Sequence, residues 1–300
     1  MDPTFESIYN HIRSGGLGFY RQPRGLLSVH GREAVQFLNG LITNDVAKLD
    51  DGQQMLAAFP NAQGRLIAVV RVMRRGDRYL FETEDATRER VYNNLFRFTF
   101  AGEFFVEELT EKYSFISLAG DLATPEQLSE GSLIFRSPMG NDVFIPTENV
   151  GQAVQRLRDE GVAEISGELY ETLRIESGVP KFGVDMDETT IVPELGLEGL
   201  ISYNKGCYIG QEIIARIHFR GHVAKQLGGI ILSQRASAAS GAELTSVEGK
   251  NAGRLTSLTH SPALGRTIAL AYIRYDYLDD GTELFLDGLP VNVRALPFVN

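Results

Sequence analysis

The sequence predicts an α+β fold that closes on a C-terminal β-barrel, and three observations predict it. Strand and helix signals mix along residues 1–224 without the regular βαβ alternation of a doubly wound sheet. After Lys225 the character changes to short strands broken by turns at Ser240-Gly241, Glu248-Gly249, Asp279-Asp280-Gly281 and Asp287-Gly288. The 300 residues also exceed the ~100–200 typical of one domain, so more than one packed unit is expected.

Phe5, Ile8, Tyr9 and Ile12 recur at helical spacing over residues 4–14, and Gly15-Gly16 stops that helix. Gly25 to His30 reads as a strand, Glu33 to Leu41 as a helix with Ala34, Phe37, Leu38 and Leu41 on one face, and Thr43-Asn44-Asp45 as a turn. Gln53–Pro60, Arg65–Arg74 and Arg78–Thr83 form a meander, its turns supplied by Asn61-Ala62-Gln63-Gly64 and Arg75-Gly76-Asp77. A helix is expected over Ala86–Phe98, strands near Phe104–Leu109 and Ser114–Leu118, and a short helix after Thr124-Pro125. Strands near Leu133–Arg136 and Asp142–Ile145 follow, then helices over Val150–Glu160 and Glu168–Ser177. The glycine- and proline-punctuated run from Gly178 to Gly199 has the look of a binding loop.

Composition narrows the function classes. Apolar residues make up 43% and charged residues 23%, as in a soluble globular chain. A net charge of −10 disfavours direct nucleic-acid binding, which needs a concentrated basic surface. The acidic start, with no apolar run of export or membrane-spanning length, predicts a cytoplasmic protein. With one cysteine, the chain can build neither an internal disulfide nor an all-cysteine metal site, which fits a reducing compartment. No Gly-x-Gly-x-x-Gly or Walker-type run occurs, so dinucleotide and NTP chemistry lack their usual anchor.

Cys207 lies two residues after Lys205 and just before a helix expected to begin near Gly210, and both a helix N-terminus and an ammonium favour a thiolate. A small buried hydrophobe is the alternative reading of a free cysteine. Residues 205–225 hold Lys205, Arg216, Arg220 and Lys225 against the single acid Glu212, a local reversal of charge that suits an anionic ligand or a solvated helix face. His218 and His222 stand four apart, but Gly221 interrupts them and no third metal ligand is evident, so no metal site is assigned. Asp185, Asp187, Glu188 and Glu194 form either an acidic surface loop or a set of bidentate acceptors for an amino-pyrimidine edge.

Taken together these residues resemble the folate-binding YgfZ/GcvT family, which includes the glycine-cleavage aminomethyltransferase and YgfZ-type proteins. The resemblance runs through Phe37-Leu38-Asn39-Gly40-Leu41-Ile42-Thr43-Asn44-Asp45-Val46, Leu173 to Pro180, Gly183, Asp185, Pro193-Glu194, Gly253 to Ser257 and Ser261 to Gly265. It is sharpest in Lys205-Gly206-Cys207-Tyr208-Ile209-Gly210-Gln211-Glu212, followed by Ala215-Arg216 and Arg220-Gly221, which is characteristic of the YgfZ-like branch.

The resemblance implies two ferredoxin-like units within residues 1–224, interleaved with the second at roughly 50–110, and a barrel over 225–300, arranged as a ring around tetrahydrofolate or a derivative. It implies Glu176 and Glu194 facing the pterin, with Gly183, Tyr208, Gln211, Glu212 and Arg216 also toward the cofactor and Cys207 and Lys205 as the chemically active pair. It further implies iron–sulfur proteins or their assembly factors as partners, with effects on tRNA modification. One departure stands out. Where aminomethyltransferases of the family carry a Gly-x-[Ile/Leu]-x-Asp-Asp-like run, this chain reads Gly64-Arg65-Leu66-Ile67-Ala68-Val69-Val70, with no acid at Ala68 or Val69. An iron–sulfur accessory role is therefore expected ahead of one-carbon transfer.

Overall fold

The computed structural model describes residues 3–120, 128–232 and 239–299. In chain order the elements are α1 (Pro3–Arg13), β1 (Gly18–Arg21), β2 (Arg24–His30), α2 (Ala34–Leu41), β3 (Gln54–Pro60), β4 (Leu66–Arg75), β5 (Arg78–Glu84), α3 (Asp85–Phe96), β6 (Phe105–Glu108), β7 (Tyr113–Ala119), β8 (Leu133–Ser137) and β9 (Gly140–Pro146). There follow α4 (Val150–Asp159), β10 (Ala163–Glu164), α5 (Gly167–Glu176), α6 (Gln211–Arg220), β11 (Lys225–Leu232), β12 (Glu243–Thr245), β13 (Asn251–Ser261), β14 (Arg266–Arg274), β15 (Glu283–Leu286) and β16 (Leu289–Arg294). The helix expected after Thr124-Pro125 falls outside the described residues.

The fold is α+β, built as two five-stranded sheets and a closed barrel. One sheet runs β3-β4-β5-β2-β6, and its apolar face carries Leu27, Val29, Ala57, Phe59, Ala68, Val70, Val72 and Phe81 against α2 and α3. The other runs β10-β1-β7-β9-β8 and buries Phe19, Ile116, Leu118, Val143 and Ile145 against α4. Leu26, Met73 and Leu80 of the first sheet meet Phe115, Phe135 and Phe144 of the second, which joins the sheets directly. Two strands escaped the sequence reading, β1 and β10, which pair in parallel through Gly18↔Ala163 and Phe19↔Glu164. Segments of four and two residues are too short to show a period.

The barrel closes in the order β11-β14-β13-β12-β15-β16. Alternation along β14 explains why its whole interior is buried. Ala269, Ala271 and Ile273 point into the barrel, whereas Ile268, Leu270 and Tyr272 point outward onto Ile175 of α5 and Phe298. Helix α5 begins at Ser166, whose Oγ accepts the Leu169 N–H at 3.2 Å as an N-cap. The same helix packs Leu169 and Leu173 against Phe5, Tyr9 and Ile12 of α1. It thus ties the N-terminal helix to the barrel and forms one wall of the space between the sheets.

Candidate functional site

A cavity of about 1210 Å³ opens where the two sheets, α5, the 178–199 loop and the barrel meet. Leu56 and Val69 of the first sheet, Leu173, Met186, Leu195 and Leu197 give it an apolar stretch. Arg24, Arg71, Glu82, Glu84, Asp142 and Tyr170 give it a charged end. Strand alternation decides which side chains reach it: Ala68, Val70 and Val72 turn into the core under α2 and α3, so Val69 and Arg71 take the opposite face.

The charged end is an alternating ion network. Arg24 Nε donates to Glu82 Oε1 at 2.5 Å, Arg71 Nε donates to Glu82 Oε2 at 2.7 Å, and Arg71 Nη2 pairs with Asp142 Oδ2 at 2.6 Å. Burial works to raise the Glu82 pKa, but Arg24 and Arg71 outweigh it and hold the carboxyl at about 2. The same network pushes Arg71 further up against the desolvation that opposes it. Beside it, Glu84 is raised chiefly by desolvation, partly offset by Arg24 and by the Phe182 N–H. Asp142 Oδ1 and Ser137 Oγ, both buried and both on residues lining the cavity, have no hydrogen-bond partner among the described residues.

The 178–199 loop is anchored by Asp185. Its carboxylate accepts from Arg174 Nη1 at 2.8 Å, Lys181 N at 3.0 Å, Thr256 Oγ1 at 2.5 Å and Ser257 Oγ at 2.6 Å. Those bonds join α5, the loop and β13. Asp187 instead makes a local turn with Thr189, and Glu188 pairs with Arg90 at the surface. Of the acidic set suggested as pterin acceptors, Asp185 is therefore saturated by the protein itself. Glu194 is buried, lies 3.8 Å from Lys225 and has a pKa raised by desolvation.

None of the residues nominated from the sequence lines the cavity. Glu176 is fully buried, accepting from Tyr9 Oη at 2.7 Å and from Arg13 and Ser261, and its carbonyl accepts from Phe298 N. That carboxylate ties α1, α5 and the β13 end together. Glu176→Gln is expected to destabilise the fold by about 1–2 kcal/mol, read by thermal or chemical unfolding. Gly183 adopts φ +79 in the turn that returns to Met186, with open space on its Cβ side.

The octet forms a separate feature. Lys205 Nζ donates to the carbonyls of Ile42 at 2.8 Å and Asn44 at 2.6 Å and sits 5.1 Å over the Tyr208 ring, which fastens the octet to the end of α2. Burial draws the Lys205 ammonium down to about 8 against the pull of Asp45, and pushes the Tyr208 phenol up to about 12. Tyr208 belongs to the same hydrophobic cluster as Met186 and Leu195, which line the cavity, whereas no residue of the octet lines it. Cys207 is exposed, which excludes the buried-hydrophobe reading. Helix α6 begins at Gln211 after Gly210, and Glu212 pairs with Arg216 at 2.9 Å on its solvent face.

The basic residues of this stretch do not converge. Lys205 is bound to carbonyls, Arg216 to Glu212, and Lys225 lies between Glu194 and the Tyr272 ring. His218 stacks on Tyr203 at 3.7 Å and His222 on Tyr275 at 3.9 Å, which sends the two imidazoles to different neighbours. Sequence reasoning passed over the cavity's own polar residues, Arg24, Arg71, Glu82, Glu84, Ser137 and Asp142. A signal was present: charges of both signs at single positions inside otherwise apolar strands must be paired or face a cavity.

Two family models match the chain: the GCVT N-terminal domain over residues 10–125 and the glycine cleavage T-protein C-terminal barrel domain over residues 225–299. An aminomethyltransferase of Rubrobacter xylanophilus is 29% identical over 299 residues, covering 91% of this chain and 80% of its own length. An iron–sulfur cluster assembly factor IBA57 homolog, mitochondrial, of Mycosarcoma maydis is 28% identical over 223 residues, covering 68% of this chain and 54% of its own. The crystal structure of glycine cleavage system aminomethyltransferase T from Bartonella henselae superimposes with a TM-score of 0.87 at 20% identity, covering 98% of this chain and 89% of that one, which shows the shared fold. This chain is therefore a protein of the GCVT N-terminal and glycine cleavage T-protein C-terminal barrel domains, carried in that order.

Proposed function

We propose that the cavity holds tetrahydrofolate or a derivative, and that the chain is a cytoplasmic, YgfZ-type accessory protein for the synthesis or repair of iron–sulfur proteins. Any effect on tRNA modification would pass through such proteins. The cavity fits the ligand class. It exceeds the ~300–1,000 Å³ of pockets for drug-sized ligands, it has an apolar stretch for a ring, and Asp142 Oδ1 and Ser137 Oγ lack partners among the described residues, which a ligand's N–H groups would supply. A bound reduced folate would supply ring nitrogens able to carry a one-carbon unit.

The observation that carries the accessory reading is Val69 on the cavity wall. At the place where the resemblance implies an aminomethyltransferase acid, an isopropyl group can neither accept a proton nor stabilise a cation, a loss typically worth ~10²–10⁴ in rate. The exposed Cys207 thiol, set apart from the cavity, is suited to a macromolecular partner rather than to the ligand. The relative named as an iron–sulfur cluster assembly factor supports the same role.

Deleting the gene is expected to lower the activity of iron–sulfur enzymes in the cell; unchanged activities would reject the proposal. In that strain Cys207→Ser is expected to fail to restore them while binding folinic acid with wild-type affinity by calorimetry. A second reading, aminomethyl transfer to tetrahydrofolate, is favoured by aminomethyltransferase relatives that match 91% or more of this chain. Robust formation of methylene-tetrahydrofolate from an aminomethyl donor would establish it in place of the first.

A further inference from the structure

A second cleft, of about 300 Å³, opens between α3 and the turn that joins β3 to β4, and it shares no lining residue with the central cavity. Helix α3 supplies Arg90, Asn93, Asn94 and Arg97, whose spacing of three, four and seven residues sets them on one helical face. Across from them lie Asn61 and the apolar side chains of Leu66 and Ile67. The 178–199 loop adds Glu188, the one acid in the lining.

The donors of this face are mostly unspent. Arg97 makes no ion pair among the described residues, and its guanidinium lies 5.1 Å over the Phe98 ring. Arg90 lies 5.4 Å over the Phe182 ring and pairs with Glu188 at 3.3 Å, an exposed contact of the kind that contributes little and is screened by salt. Stacking on a ring fixes a guanidinium plane and leaves its N–H edge free to donate. The side-chain amides of Asn93 and Asn94 make no hydrogen bond among the described residues. Asn61 spends its Oδ1 on the Gln63 and Arg65 N–H groups at 2.9 and 3.0 Å, so its amide nitrogen is the atom left to donate. Two cations thus stand two helical turns apart, ~10 Å along the axis, with amide donors between them and an apolar surface opposite.

We infer that this cleft is a binding site for a small linear dicarboxylate, one carboxylate taken by Arg90 and the other by Arg97, with its carbon chain against Leu66 and Ile67. A carboxylate matches the guanidinium fork with two parallel N–H···O bonds, and the asparagine amides supply donors for the remaining lone pairs. The volume sits at the lower end of the ~300–1,000 Å³ range of ligand pockets, which suits a molecule of a few carbons. Binding takes Arg90 away from Glu188, so the ligand competes with the loop's own acid. The assignment is independent of the folate reading of the central cavity.

The test is calorimetric titration of adipate into the full chain at constant ionic strength, with hexanoate, the same chain carrying one carboxylate, as the matched control. Adipate is expected to bind at one site per chain and at least about 10-fold more tightly than hexanoate. Arg97→Gln removes a cation that pairs with no acid among the described residues, so its melting temperature should stay near wild type. It is expected to weaken adipate about 10–100-fold and to leave hexanoate unchanged. Glu188→Gln, which removes the competing acid, is expected to tighten adipate severalfold, a gain that a purely structural role for Glu188 would not produce. Adipate that fails to bind, that binds no more tightly than hexanoate, or that binds Arg97→Gln as it binds wild type overturns the assignment. Inorganic phosphate binding as tightly as adipate overturns it too, because a single anion would then account for the site.

Discussion

Arg71→Met is expected to destabilise the protein by about 3–5 kcal/mol, the cost of leaving buried charge without its partner. Arg71 neutralises Glu82 and Asp142 together, and both carboxylates are almost completely buried. Without it, among the described residues Glu82 keeps only Arg24 and Asp142 keeps no ion pair. The variant should melt well below wild type, and adding Asp142→Asn should restore part of the loss, because the second change removes the carboxylate left without an ion pair.

The same network sets an acid limit. Glu82 is held at about 2 in the folded protein against an ordinary value of 4.5, so its folded pKa is depressed. Its contribution is therefore complete above the unfolded value and is lost as pH falls from about 4.5 toward about 2. The size is on the order of 3 kcal/mol, from 1.36 kcal/mol per unit. Unfolding measured at stepwise lower pH should show this loss in wild type and a flatter profile in Arg71→Met.

Gly210→Ala is expected to cost about 2–5 kcal/mol, combining a left-handed backbone with overpacking. Gly210 adopts φ +80, and a Cβ there would stand 2.3 Å from the Asn61 carbonyl oxygen, a backbone atom that cannot swing aside. This close approach seats the octet on the turn between β3 and β4. Gly206→Ala is the matched control: its φ is not positive and nothing lies within 4 Å of a Cβ there, so it should stay within about 0.5 kcal/mol of wild type. Thermal melting separates the two variants. Thiol labelling of Cys207 should also speed or slow in Gly210→Ala, because the loop carrying the thiol must move.

Much of the architecture was legible from local pattern alone. The meander over β3, β4 and β5 followed from apolar runs between turn residues, and the barrel from closely spaced turns after Lys225. The octet was legible as a loop leading into α6, and the exposure of Cys207 answered a question the sequence had left open. The protein partners of Glu176 were not legible, because its neighbours in sequence say nothing of them: Tyr9 is 167 residues away and Ser261 85. A buried carboxylate that closes three elements and one that meets a ligand have the same local signature.

By itself, then, the sequence determined the element types, the barrel, the absence of an acid at Ala68 and Val69, and the octet as a distinct feature. Only the tertiary structure decided which charged groups line the cavity. Arg24, Arg71, Glu82 and Asp142 come from β2, β4, β5 and β9, and their meeting depends on strand order and register. Local periodicity tells which face of a strand a residue occupies; what that face looks onto is settled only when hydrogen bonding and burial bring the sheets together.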